Sequence, residues 1–288
     1  MLSQRINGVF ASPLERSRLA LVGTLLALAA VGWALTGDRM AGMDGGPGTD
    51  LGSLGFYVTA WVVMMSAMMF PSIAPMVIVY NRIHTRLRER DRFAPIGATA
   101  VFVGGYLISW TVFGLFAYAL FNLVKSLSID SLSWNEGGKY LAGGMILAAA
   151  IYQLTPAKDV CLSKCRSPLS FLMGYWRDGY GGALQMGIAH GGWCVGCCWA
   201  LMAALFAVGV MSVGWMLFVA ALIATEKMLP WKEVGNRSVA LLLVVLGLAV
   251  AFAPERVPGL TIPSSMGMHR SMQMNGSMRD DSTKQMDR

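Results

Sequence analysis

The sequence predicts an all-α, polytopic transmembrane helix bundle, and three observations predict it. Hydrophobic residues make up 55% of the 288-residue chain and charged residues only 14%, where ordinary soluble domains carry about 25% charged residues. Apolar runs recur that are long enough to cross a bilayer, a passage of about 30 Å that takes about 20 helical residues. Basic residues collect in alternate connecting segments, as they do when such runs are threaded through a membrane.

Seven runs qualify: 19–36, 54–80, 95–124, 140–155, 181–208, 210–229 and 239–253. The fourth is short and the fifth and sixth almost fuse, so six or eight spans suit the same pattern. The first follows a basic segment, as the apolar core of a signal peptide does. It is longer than the usual core of about 7–15 residues and no clean small-residue cleavage site follows, so it reads as a retained anchor. Residues 1–253 are thus expected to form the bundle. Residues 254–288 form a polar, Ser- and Met-rich tail without apolar periodicity, expected to be disordered unless it binds something.

Sidedness follows from the loops. One side holds Arg5, Arg16 and Arg18, then the five arginines of segment 81–92, then Lys158, Lys164, Arg166 and Arg177, then Lys227, Lys232 and Arg237. Counted over the short loops alone, the split is twelve basic residues against three. The positive-inside rule places the N-terminus in the cytoplasm and the tail outside. The net charge of +7 is then a by-product of topology. No nucleic-acid motif accompanies it, and no nucleic-acid partner is expected.

Five cysteines, an odd number without secreted-type spacing, argue against a disulfide scaffold. They point to chemistry in the fifth span instead. There His190, Cys194 and Cys197 stand at spacings of four and three, one above another on a helix, with Met186 a turn earlier and Cys198 at the edge of the face. Taken singly, each cysteine reads as a small apolar filler and the histidine as a partner for a neighbouring carbonyl. Together, near the middle of a span where an ionisable group is functional by default, they read as a soft-metal site. Thiolate, imidazole and thioether donors favour Cu(I), with zinc a weaker fit. A c-type haem is not expected, because Cys198 follows the Cys194–Cys197 pair where a histidine is needed.

Further soft donors support the reading. The second span carries Met64, Met65, Met68 and Met69 at a matching depth, just before Pro71 and Pro75, which are expected to kink or break the helix. Met65, Met68 and Met69 are candidate thioether ligands opposite His190. In the fourth loop, Cys161 and Cys165 share a face if the segment is helical, and suit a cytoplasmic-side relay. In the tail, Met266, Met268, His269, Met272, Met274 and Met278 form a candidate copper-capture segment, since an exposed tail has no core for methionine to fill. Met40 and Met43 lie on the same predicted side.

These motifs carry a family resemblance. The run from Gly187 through His190, Cys194, Cys197 and Cys198 to Met202 resembles a bacterial family of predicted metal-binding integral membrane proteins, a domain-of-unknown-function family sometimes labelled copper chaperone-like. The Met-Met-Ser-Ala-Met-Met-Phe-Pro-Ser run of the second span, the stretch from Tyr152 to Pro168 and the Glu226-Lys227 pair are similar to its other signatures. The resemblance implies a bacterial membrane protein that handles a metal, but no established reaction. The sequence therefore leads to a multi-pass inner-membrane protein binding a soft metal, copper first, in trafficking, delivery or transport. A copper-requiring membrane or periplasmic enzyme would be its partner beside the lipid bilayer. The rival readings are a metal-dependent or thiol-redox membrane oxidoreductase and an accessory subunit of a membrane complex.

Overall fold

The computed structural model describes residues 13–40, 51–90, 95–126, 137–209, 212–228 and 232–257. Among these, all regular structure is helical. In chain order the helices are α1 (Pro13–Met40), α2 (Leu54–Arg90), α3 (Ala98–Ser126), α4 (Lys139–Gln153), α5 (Pro156–Arg166), α6 (Pro168–Tyr175), α7 (Gly179–Val208), α8 (Val213–Met228) and α9 (Lys232–Phe252), followed by a 3₁₀ turn at Pro254–Arg256.

Each of the seven apolar runs carries a helix, but they are not equal. α1, α2, α3, α7 and α9 are long and apolar enough to cross a membrane; α4 and α5 make a sixth crossing only if taken as one span bent by 68°. α8, at 16 residues, spans about 24 Å at 1.5 Å per residue, short of the hydrocarbon thickness. Large apolar side chains face outward in rows, for example Val112, Phe116 and Leu120 on α3 and Leu241, Val245 and Leu248 on α9. Such contiguous exposed rows are compatible with a helix bundle set in a membrane.

Apolar helices of membrane-spanning length associate through close backbone approach at small residues. The α3–α7 seam is built that way. A Cβ on Gly105 would sit 2.5 Å from the Leu184 carbonyl oxygen, one on Gly187 would strike the Phe102 carbonyl, and one on Gly191 would lie 2.7 Å from Ser109 Cβ. The α4–α9 seam repeats the device, with a Cβ on Gly143 falling 2.8 Å from the Gly247 carbonyl oxygen. On α1, Gly32 faces Ala67 and Val63 of α2. Gly187→Val is expected to wedge α3 from α7 and cost about 1–3 kcal/mol or more, the range for overpacking. A lowered Tm in detergent checks this, and an unchanged Tm would contradict the seam.

α2 continues through Pro71 and Pro75. The prolines remove backbone donors, and side chains then compensate nearby carbonyls: Ser72 Oγ donates to Met69 O at 2.9 Å. The sharp break falls elsewhere, between α4 and α5. Pro156 cannot continue α4 but suits the first turn of α5. Thr155 caps that turn by accepting from Lys158 N at 3.4 Å, while its own hydroxyl donates to Tyr152 O at 2.7 Å.

Candidate metal centre

α5 folds back into the bundle because one stripe of it is shaped for α7 and α8. Lys158, Cys161, Leu162 and Cys165 recur at spacings of three and four, hence on one face. Lys158 and Leu162 are almost wholly buried. Cys161 lies over Gly196, where a Cβ would come within 2.8 Å of its sulfur, so a glycine there admits α5. Tyr152, just before the break, donates to the Gly196 carbonyl at 2.6 Å, and Asn236 of α9 donates to Asp159 at 2.9 Å.

The deepest anchor is ionic. Lys158 Nζ meets Glu226 Oε1 of α8 at 2.6 Å, with side-chain exposures of 0% and 1%. A buried pair of this kind fixes register more than it adds stability, whereas removing one partner alone typically costs about 3–5 kcal/mol.

Two helical turns beyond Lys158, the stripe delivers Cys165 to α7. The Cys165 and Cys197 sulfurs are 3.7 Å apart and those of Cys197 and Cys198 are 3.3 Å apart. The ligand atoms of Cys165, Cys194 and Cys197 all lie within 4.8 Å of one another. All five cysteines are free, and Cys194, Cys197 and Cys198 are buried. Cys194 is further held by the Tyr106 hydroxyl of α3 at 3.1 Å and by Lys227 Nζ of α8, which donates to its sulfur at 3.0 Å and to Ser72 Oγ of α2 at 3.2 Å. Four helices and the α5 arm thus converge on one sulfur cluster.

The depth of this meeting is dictated by chain length. Cys194 precedes the Val208 end of α7 by as much helix as separates Lys227 from the Val213 start of α8. In each case the stretch is about four turns, or about 21 Å from the turn that joins the helices, so the ammonium and the thiol arrive level. Met68 stands at a similar distance from the Leu54 start of α2.

The soft donors read from sequence fall into three groups. Cys194, Cys197 and Cys198 are in the cluster. Cys165, expected to pair with Cys161 as a relay, joins the cluster itself, and Cys161 remains on the Gly196 face. His190 is one turn from Cys194 but is not among the three clustered ligands. It sits in an aromatic enclosure, its ring 5.1 Å from Phe171, 6.0 Å from Tyr106 and 6.2 Å from Phe102. Its Nδ1 is buried without a hydrogen-bond partner. Met65, Met68, Met69 and Met186 are buried in the same core; Met68 and Met69 lie about one turn before Ser72, whose hydroxyl shares the Lys227 ammonium. The tail residues Met266, Met268, His269, Met272, Met274 and Met278, like Met43, lie outside the described residues.

Sequence reasoning did not assign Tyr106, Ser72, Lys158 or Lys227 to the site. For the lysines a signal existed: each is next to an acidic residue or a helix cap at the edge of an apolar run, where a charge is either a loop cation or an interior partner.

A family model described as PpoB2, copper chaperone, matches residues 58–250. The chain belongs to the PpoB2 copper chaperone family. The matched stretch contains every residue of the sulfur cluster and its partners, and leaves out α1 and the tail. No curated protein and no solved structure matches the chain significantly. The donor set suits a soft metal: thiolate sulfur binds monovalent copper well and also takes zinc.

Proposed function

We propose that this PpoB2 family member is a multi-pass protein of the bacterial inner membrane that holds Cu(I) on Cys165, Cys194 and Cys197. It passes the ion by ligand exchange to a copper-requiring membrane or periplasmic enzyme. The observation that carries the reading is the convergence of three free thiols from two helices, Cys194 and Cys197 buried and Cys165 half-buried, with an ammonium group on Cys194. Three thiolates around Cu(I) would leave two net negative charges in a medium where unpaired charge is costly. Lys227 offsets one of them. His190, with its unspent Nδ1, and the methionines of α2 serve as weaker donors along the route, and the Met-rich tail collects copper outside.

Sidedness supports the same picture. Lys158 and Lys227 turn inward, so they no longer count as loop cations; the short-loop split becomes ten against three, and the positive-inside rule gives the same orientation. Thiol–disulfide chemistry is the second reading, favoured by the 3.3 Å and 3.7 Å sulfur separations.

The test is copper content of the full chain loaded with Cu(I) under reducing conditions, beside a chain truncated after Pro254. The bundle is expected to retain one copper per chain against a competing chelator, and the truncated chain to lose only the additional, exchangeable copper. A protein that binds none, but forms a disulfide between α5 and α7 on mild oxidation, would favour the redox reading.

A further inference from the structure

Away from the sulfur cluster, α8 and α9 diverge and leave an open apolar groove of about 770 Å³. Its wall on α9 runs from Ser238 to Ala249, about three turns or about 17 Å of helix. That is close to the depth of one leaflet, half of a hydrocarbon core of about 30 Å. Leu242, Val245 and Phe218 line the middle of the groove, the polar groups Arg256, Ser212 and Trp215 gather at the end beside the α7–α8 turn, and Ser238 stands at the other end. Arg256 is exposed, and its guanidinium is in neither of the ion pairs among the described residues. Trp215 lines the groove with its Nε1 buried and without a hydrogen-bond partner.

An apolar channel one leaflet deep, closed at its surface end by an exposed cation and an unspent N–H donor, matches one class of molecule. We propose that the groove between α8 and α9 binds a single anionic diacyl phospholipid, with an acyl chain along α9 and its phosphate on Arg256. The Trp215 indole donates to a phosphate or ester oxygen. Basic residues at a membrane-facing crevice recognise lipid headgroups by this charge match, and tryptophan is favoured at that depth because one end of it is apolar and the other wet. The alternative occupants are a helix of a second copy and an acyl chain of any lipid. A second copy packed symmetrically would bring its own Arg256 to the same depth, cation against cation, and an unselective chain would leave the Trp215 donor unpaired.

The inference rests on the membrane-embedded reading, which recovery of the chain in the membrane fraction tests separately. Native mass spectrometry of the full chain in micelles, titrated with phosphatidylglycerol and in parallel with phosphatidylcholine, reads the lipid directly. One phosphatidylglycerol per chain is expected to be retained at least tenfold more strongly than phosphatidylcholine. Arg256→Gln should erase that preference, Trp215→Phe should weaken retention severalfold, and Leu242→Trp, which fills the middle of the groove, should remove both lipids. Glycerol phosphate should not displace the bound lipid, because it lacks the chain. Equal retention of the two lipids by the unaltered protein, a preference that survives Arg256→Gln, displacement by glycerol phosphate, or a lipid-free dimer in place of a lipid-bound monomer would each overturn the proposal.

Discussion

Cys165→Ser is expected to lower copper retention by at least 10–100-fold, the range that removal of even outer-shell partners produces at metal sites, while Cys161→Ser leaves it unchanged. The two cysteines stand one turn apart on the same short helix and are equivalent to any argument from local sequence. The fold separates them: Cys165 is 3.7 Å from the Cys197 sulfur, whereas Cys161 rests on Gly196. Cys194→Ser and Cys197→Ser should match Cys165→Ser, because a hydroxyl is a poor ligand for a soft ion. Copper per chain after dialysis against a chelator is the readout. Equal effects at positions 161 and 165 would mean that α5 acts as a loop relay and does not contribute to the cluster.

The second large effect is expected at the ion pair that docks α5. Lys158→Met alone leaves the Glu226 carboxylate buried and unpaired, and Glu226→Met alone does the same to the lysine. Each is expected to cost about 3–5 kcal/mol and, by releasing α5, to remove copper retention along with stability. The double variant Lys158→Met, Glu226→Met should recover most of both losses. Two apolar side chains of similar length fill the space, and the Cys161–Gly196 contact, Leu162 and the Tyr152 hydrogen bond still seat the helix. Thermal unfolding in detergent together with copper content checks this. Single variants that unfold at the wild-type temperature and keep their copper would contradict a docking role for the pair.

Much of this architecture can be read along the chain, and what cannot has a physical cause. The seven apolar runs carry helices, the form in which a long apolar stretch satisfies its own backbone hydrogen bonds. The stripe from His190 to Cys197 is local, at spacings of four and three, so helical geometry fixes it before any tertiary contact forms. Cys165 is different. It belongs to another helix, separated from Cys194 by all of α6, and it follows a capped break at Thr155-Pro156 that in sequence looks like the start of a charged loop. Its place depends on Gly196 having no side chain and on Glu226 receiving Lys158, both long-range conditions. Lys227 misleads for a related reason. α8 is too short to carry it to the far interface, so a residue that reads as a flanking cation ends level with Cys194. The prolines of α2 do not break it: the helix runs on through Pro71 and Pro75, with Ser72 bonded to a neighbouring carbonyl.

The central claim is that copper rests on sulfur from both α5 and α7. X-ray absorption at the copper edge of the Cu(I)-loaded full chain addresses it directly. The account predicts a first shell of sulfur that His190→Ala leaves intact and Cys165→Ser depletes; a shell dominated by nitrogen or oxygen, or one indifferent to Cys165, would contradict it.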